Sequence, residues 1–199
     1  ASPMRTLLFI SLCATLVGCT DDETPVFGSG AFRFHDLNVI SRSCSEADHP
    51  RIIAGEHGDE TPGGGTLIAR CAATEFASGD LSFNVLLDND AGDSIDIRAL
   101  RIPALPSGAG PVEVTPTGCE SILFEVSNVR YRAVCTSSEP EEGECQLVRA
   151  VLDRADASIS LDFRCHAVPT IGGGGSTCEV SGAGASANAN LTFEACRGL

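Results

Sequence analysis

Leu81-Ser82-Phe83-Asn84-Val85-Leu86-Leu87 sets Leu81, Phe83, Val85 and Leu87 two residues apart, the period that puts side chains on one face of a β-strand. After the acidic tip Asp88-Asn89-Asp90-Ala91-Gly92-Asp93-Ser94, the apolar pattern resumes in Ile95-Asp96-Ile97-Arg98-Ala99-Leu100-Arg101-Ile102. Two such runs around an Asp/Asn/Gly turn predict an antiparallel hairpin. Working outward, Ser121–Val126 and Val129–Val134 form a second hairpin turning at Ser127-Asn128. There Ile122, Phe124 and Val126 share a face with Val129, Tyr131 and Ala133, and Glu125 opposes Arg130.

A third hairpin joins Cys145–Leu152 to Ile159–Cys165 across Asp153–Ala157. With Cys145 facing Cys165, Leu147 meets Phe163 and Val151 meets Ile159, while Arg149 opposite Leu161 is a misfit. Leu147, Val148, Val151, Leu152 and Ala155 also fit a 3.6-residue period, so a helix competes there. Phe32 and Phe34 open an earlier strand that changes face near His35-Asp36 before Leu37 and Val39, as a bulge would make it do. Val112 and Val114 between prolines suit an edge strand, and Leu67, Ala69 and Cys71 alternate weakly. Short strands punctuated by Gly and Pro predict an all-β fold, an antiparallel β-sandwich or partly open barrel. Gly172-Gly173-Gly174-Gly175-Ser176 reads as a loop inside one domain.

Composition narrows the chemistry. The chain has 199 residues and a formal charge of −14, all 13 basic residues are Arg, and there is no Trp. Absence of Lys excludes Schiff-base catalysis and a P-loop that uses its usual Lys. An acidic chain is a poor match for a phosphate backbone, so nucleic acid is not an expected partner. No Gly-x-Ser-x-Gly elbow occurs, and Gly172–Gly175 lacks the dinucleotide fingerprint and follows no βα unit.

At the amino end, Ala1, Ser2 and Pro3 precede the only methionine, Met4. Arg5 then supplies a positive region, and Leu7–Thr15 an apolar run much shorter than the ~20 residues that span a bilayer. Leu16-Val17-Gly18-Cys19 follows and resembles the lipobox of bacterial lipoprotein precursors. The resemblance covers Met4 to Cys19 and implies cleavage after Gly18, a diacylglyceryl thioether on Cys19 and acylation of the new amino group, with palmitate as a typical chain. Two or three chains anchor stably where one does not. Thr20 stands where the aspartate of inner-membrane retention would be and Asp21 follows one residue later, so the resemblance leaves inner against outer membrane open within a bacterial envelope, with the outer membrane or cell surface expected. The division expected is a leader over 1–18, a lipidated Cys19 with an acidic tether over 19–30, and one β-sandwich domain over 31–199. Losing the leader removes only Arg5 among charged groups and leaves a net charge of −15.

Of ten cysteines, Cys13 lies in the leader and Cys19 in the lipobox. The other eight form an even set in an exported chain and read as disulfides, because no Cys-x-x-Cys pair favours zinc. Strand logic selects from the 105 pairings open to eight cysteines. Cys145–Cys165 follows from the facing register, and Cys119–Cys135 brackets the second hairpin one place out of step. Cys178–Cys196 closes a hairpin around the Gly/Ala/Ser/Asn-rich stretch, and elimination leaves Cys44–Cys71.

Two loops carry candidate sites. Asp88, Asp90, Asp93 and Asp96 offer the oxygen ligands calcium takes, although Gly92 and the missing closing Glu depart from the EF-hand template, and Asp, Asn and Gly also dominate plain turns. His49 and His57, with Asp48, Glu56, Asp59 and Glu60, mix imidazole and carboxylate as a metal-dependent hydrolase would. His35, His166 and the acidic run Glu139–Glu144 read as local hydrogen-bonding or solvated groups. Arg98, Arg101, Arg130, Arg132 and Arg149 either gather into an anion site or pair with Asp96 and Glu125 across strands. The expected role is a membrane-anchored envelope module without catalysis or an obligatory cofactor, contacting another envelope or surface protein. The rivals are the hydrolase and a calcium-dependent adhesive domain.

Overall fold

The computed structural model describes residues 24–35, 44, 50–62, 64–105, 110–172, 177–182 and 187–199. Among them there are twelve strands and no helix. The strands are β1 (Phe27–His35), β2 (Pro50–Glu56), β3 (Ile68–Glu75), β4 (Leu81–Asp88), β5 (Ser94–Ile102) and β6 (Val112–Val114), then β7 (Ser121–Val126), β8 (Val129–Thr136), β9 (Glu144–Asp153), β10 (Ser158–Pro169), β11 (Thr177–Ser181) and β12 (Ala189–Glu194). The fold is the all-β, disulfide-bearing type expected. Residues Phe27–Gly30 of the stretch read as tether lie in β1, and the expected face change beyond His35 falls outside the described residues.

The strands hydrogen-bond in the order β11-β1-β12-β10-β9-β8-β7-β5-β4-β3, with β2 added to β1 and β6 to β9. Every pairing is antiparallel except β8 with β9. That parallel contact spans only Val134–Thr136 against Glu144–Gln146, because the loop over 137–143 is too short to return the length of a strand. It is also the corner where the sheet turns back on itself. The half made of β3, β4, β5, β7 and β8 then covers the half made of β1, β2, β6 and β9–β12.

Alternation places the core between the halves. Leu81, Phe83, Val85 and Leu87 of β4 are buried, as are Ile122, Phe124 and Val126 of β7. Phe124 lies against Phe32 of β1 and Phe163 of β10, with ring centroids 6.3 and 6.2 Å away. Opposite β4, the chain uses Gly28 and Gly30. A Cβ on Gly28 would stand 2.8 Å from Leu87 Cδ1 and 3.0 Å from Ala69 Cβ, so the close approach of β1 requires the missing side chain.

The β7–β8 register is the expected one, with Glu125 opposite Arg130. Its two-residue turn carries positive φ at both Ser127 and Asn128, 52° and 65°, as a right-twisted hairpin demands. The β9–β10 hairpin starts as expected, with Cys145 opposite Cys165 and Leu147 opposite Phe163. A bulge then shifts the register: Arg149 faces Asp162 rather than Leu161, and Leu152 rather than Val151 faces Ile159. One extra residue on β9 converts a buried-charge conflict into an ion pair and returns Ala150 and Leu152 to the core. The competing helix over 147–155 is absent.

Two of the expected disulfides need correction. The bridges are Cys44–Cys178, Cys71–Cys196, Cys119–Cys135 and Cys145–Cys165, so Cys44 and Cys71 exchange their expected partners. The reason is that β11 and β12 do not form a hairpin. Along β1, residues 27–31 meet β12 from Glu194 down to Asn190, and residues 33–35 meet β11 from Ser181 down to Glu179. The two strands therefore run end to end in one direction between β1 and β10, with residues 182–188 between them in sequence. Cys178 and Cys196 lie at opposite ends of this composite strand, about eleven steps or ~36 Å apart, far beyond disulfide reach. Cys196 instead meets Cys71 on β3, with Cα atoms 4.7 Å apart. Next to that bridge the Ala73 N–H donates to the Arg197 carbonyl at 2.7 Å, and the Arg197 N–H to the Cys71 carbonyl at 3.0 Å, so the last residues cover the edge of β3.

Peptide mapping without reductant should return Cys44 linked to Cys178 and Cys71 to Cys196. The paired change Cys71→Ala/Cys196→Ala should lower unfolding free energy by ~2–5 kcal/mol in denaturant titration. Gly28→Val should destabilise by ~1–3 kcal/mol through overpacking against Leu87 and Ala69.

Candidate functional site

Three connections meet at one end of the sandwich: the start of β2, the β4–β5 tip and the β7–β8 turn. Arg51 enters β2 opposite Phe32, on the inward-facing phase. Its Nε lies 3.6 Å from Asp93 Oδ1, and its Nη2 donates to the Ser127 hydroxyl at 3.2 Å. Asp93 Oδ1 also accepts the Ser127 N–H at 3.2 Å. With only 19% and 17% of their side chains exposed, Arg51 and Asp93 interact in a medium that screens less than bulk water. This junction ties the two halves together at their rim.

The calcium candidates are divided among local tasks. Asp88 accepts the Asp90 N–H at 2.8 Å, and Asn89 accepts the N–H groups of Ala91 and Asp93. Asp93 serves the Arg51 junction, and Asp96 holds Arg98 at 2.8 Å. Among the described residues no three His, Cys, Asp or Glu side chains gather as ligands for one ion.

The histidine loop is divided as well. His49 and Asp48 lie outside the described residues. His57 follows β2, donates its N–H to the Val26 carbonyl at 2.9 Å, and lines a cleft of about 390 Å³ with Thr24, Arg70 and Arg197. Asp59 and Glu60 line a different cleft, of about 520 Å³, against Ile52, Ile53, Leu67 and Asn89. Asp59 Oδ2 accepts the Glu56 N–H at 2.8 Å. His57 thus shares its cleft with guanidinium groups, while its sequence neighbours Asp59 and Glu60 face another space.

Most of the singled-out arginines pair with carboxylates. Arg130 meets Glu125 at 2.8 Å, Arg149 meets Asp162 at 2.7 Å, and Arg164 meets Glu139 of the acidic run at 2.6 Å. The Asp162 hydrogen bond and charge, with Glu113 behind them, raise the Arg149 pKa above its ordinary value; the bond and charge of Asp96 do the same for Arg98. Arg101 and Arg132 make no ion pair among the described residues. His166 Nδ1 lies 2.6 Å from Glu179 Oε1, which also accepts the N–H of Ala167 at a bulge in β10.

One groove escaped the sequence reading. It has a volume of about 670 Å³ and runs from the β3–β4 turn to the end of β5, lined by Phe76, Asp80, Leu81, Arg101, Ile102 and Thr117. Phe76 is 52% exposed on its wall. The available signal was an aromatic residue in the turn Glu75-Phe76-Ala77-Ser78-Gly79-Asp80, where no strand face claims it. No protein-family model, curated protein or solved structure matches the chain.

Asp93→Ala removes both the partner of Arg51 and the acceptor of the Ser127 N–H. It should cost ~1–3 kcal/mol in urea unfolding, equally in millimolar calcium and in chelator, while Asp90→Ala stays within ~0.5 kcal/mol.

Proposed function

We propose that the protein is a lipid-anchored component of the bacterial cell envelope, held at Cys19 and working as a non-catalytic interaction or structural module. The supporting observation is the distribution of cysteines. Eight of the ten pair with one another inside the fold, and the two left over are Cys13 and Cys19 of the leader and lipobox pattern. Four disulfides support an oxidising compartment outside the cytoplasm, where such bridges form and persist. Among the described residues no helix is long and apolar enough to cross a membrane.

Val26 is buried in the core and its carbonyl accepts the His57 N–H, so Thr20–Pro25 separates the anchor from the fold. Six extended residues reach at most ~22 Å, which keeps the sandwich close to the bilayer surface. The residues Asp21, Asp22 and Glu23 favour a solvated leash over one lying on anionic lipid. At that distance the module would meet neighbouring envelope or surface proteins, with the outer membrane or cell surface as its site. A module of this kind works through its surface, in keeping with carboxylates that serve turns and ion pairs.

Cys19→Ser should move the protein from the detergent phase to the aqueous phase in temperature-induced detergent partitioning, and should abolish incorporation of labelled palmitate. Unchanged partitioning and labelling would refute the anchor.

A further inference from the structure

We infer that the groove between the β3–β4 turn and the end of β5 binds a small anionic amphiphile, a carboxylate carried on an aliphatic or aromatic body. Its volume of about 670 Å³ lies in the range of small-molecule sites. Its floor and wall are apolar: Leu81 and Ile102 close the core beneath it, and Phe76 stands beside it with half its surface in water. Covering Phe76 is the main apolar gain open to a ligand there.

The charge of the groove selects the ligand. Asp80 and Arg101 both line it, yet they are not paired. Asp80 is committed elsewhere, since Oδ1 accepts the Ala104 N–H and Oδ2 the Ser78 hydroxyl, both at 2.9 Å. Arg101 keeps its guanidinium without a carboxylate partner among the described residues, in a chain with 27 acidic residues to 13 basic ones. Arg51, Arg98, Arg130, Arg149, Arg154 and Arg164 each have such a partner. Meanwhile the backbone at Arg101 is held firmly. Its N–H donates to the Gly118 carbonyl at 2.8 Å, and its carbonyl accepts the Thr117 N–H at 2.9 Å. A planar guanidinium on a fixed ladder matches a carboxylate in two parallel hydrogen bonds. The surrounding acidity repels polyanions at long range, so a ligand with one charge and an apolar body is favoured over a multiply charged one.

The site is independent of lipidation, and its test uses the full chain carrying Cys19→Ser, which removes the residue that would take the lipid. Calorimetric titration with decanoate below its micellar concentration should show one saturable site. Decanol and butyrate should each bind at least ~10-fold more weakly, since one lacks the charge-assisted hydrogen bonds and the other the apolar body. Arg101→Gln should weaken decanoate ~10-fold or more and leave decanol unchanged, whereas Phe76→Ser should weaken both. Both side chains reach solvent, and an unchanged melting temperature checks that the variants fold. Arg132→Gln, outside the groove, should bind decanoate as the parent does. No saturable decanoate binding, or binding indifferent to Arg101→Gln, overturns the assignment. Sedimentation with phosphatidylglycerol vesicles in place of decanoate binding would overturn it in favour of a lipid surface. Loss of the anchor in cells with decanoate binding intact would count against the lipoprotein reading alone.

Discussion

Phe124 reaches from β7 across the sandwich to lie between Phe32 and Phe163, two rings from the opposite half. Burial of these faces against each other is the constraint that the remaining features serve, because apolar burial is the largest favourable contribution to folding. Gly28 and Gly30 let β1 come close enough to meet Leu87. Bulges in β9 and β5 keep apolar side chains turned inward where strict alternation would point Arg149 and Arg101 at the core, and a bulge in β10 turns Val168 inward. Where a bulge frees a backbone N–H, a polar side chain on the next strand accepts it: Asn84 for Ala99 at 3.0 Å and Glu179 for Ala167 at 3.2 Å. Local irregularity thus protects the continuity of the buried faces.

The bridges and ion pairs secure that arrangement at its margins. Cys71–Cys196 and the adjoining hydrogen bonds draw the chain's last residues onto β3, closing an edge that would otherwise expose unpaired backbone. Cys119–Cys135 and Cys145–Cys165 stand side by side, since Cys135 and Cys145 are register partners at the parallel β8–β9 corner. Two crosslinks there brace the one parallel strand pairing among the described residues, three register pairs long. Arg51 and Asp93 perform a similar service at the far rim through charge. An all-arginine complement of cations suits these tasks, because a guanidinium can serve a carboxylate and a hydroxyl at once, as Arg51 does. Arg101, which borders one groove with the exposed Phe76, has no carboxylate partner among the described residues.

Much of this was legible along the chain. The two-residue period of Leu81–Leu87, the turn at Ser127-Asn128 and the facing of Cys145 with Cys165 are properties of near neighbours, so the sequence by itself determined the six strands of three hairpins and the presence of a disulfide framework, whereas β2 fell in a stretch read as loop. The lipobox pattern is equally local and lies outside the described residues. Only the tertiary structure decided that β11 and β12 are one interrupted strand, that Cys44 joins Cys178 over a separation of 134 residues, and that Cys71 joins Cys196 over 125. It also decided that Arg149 meets Asp162, that His57 is parted from Asp59, and that Phe76 and Arg101 border one groove. The physical reason is that alternation specifies which face a residue takes but not which strand lies beside it. That neighbour is chosen by how distant apolar faces fit together, and no window of sequence contains both.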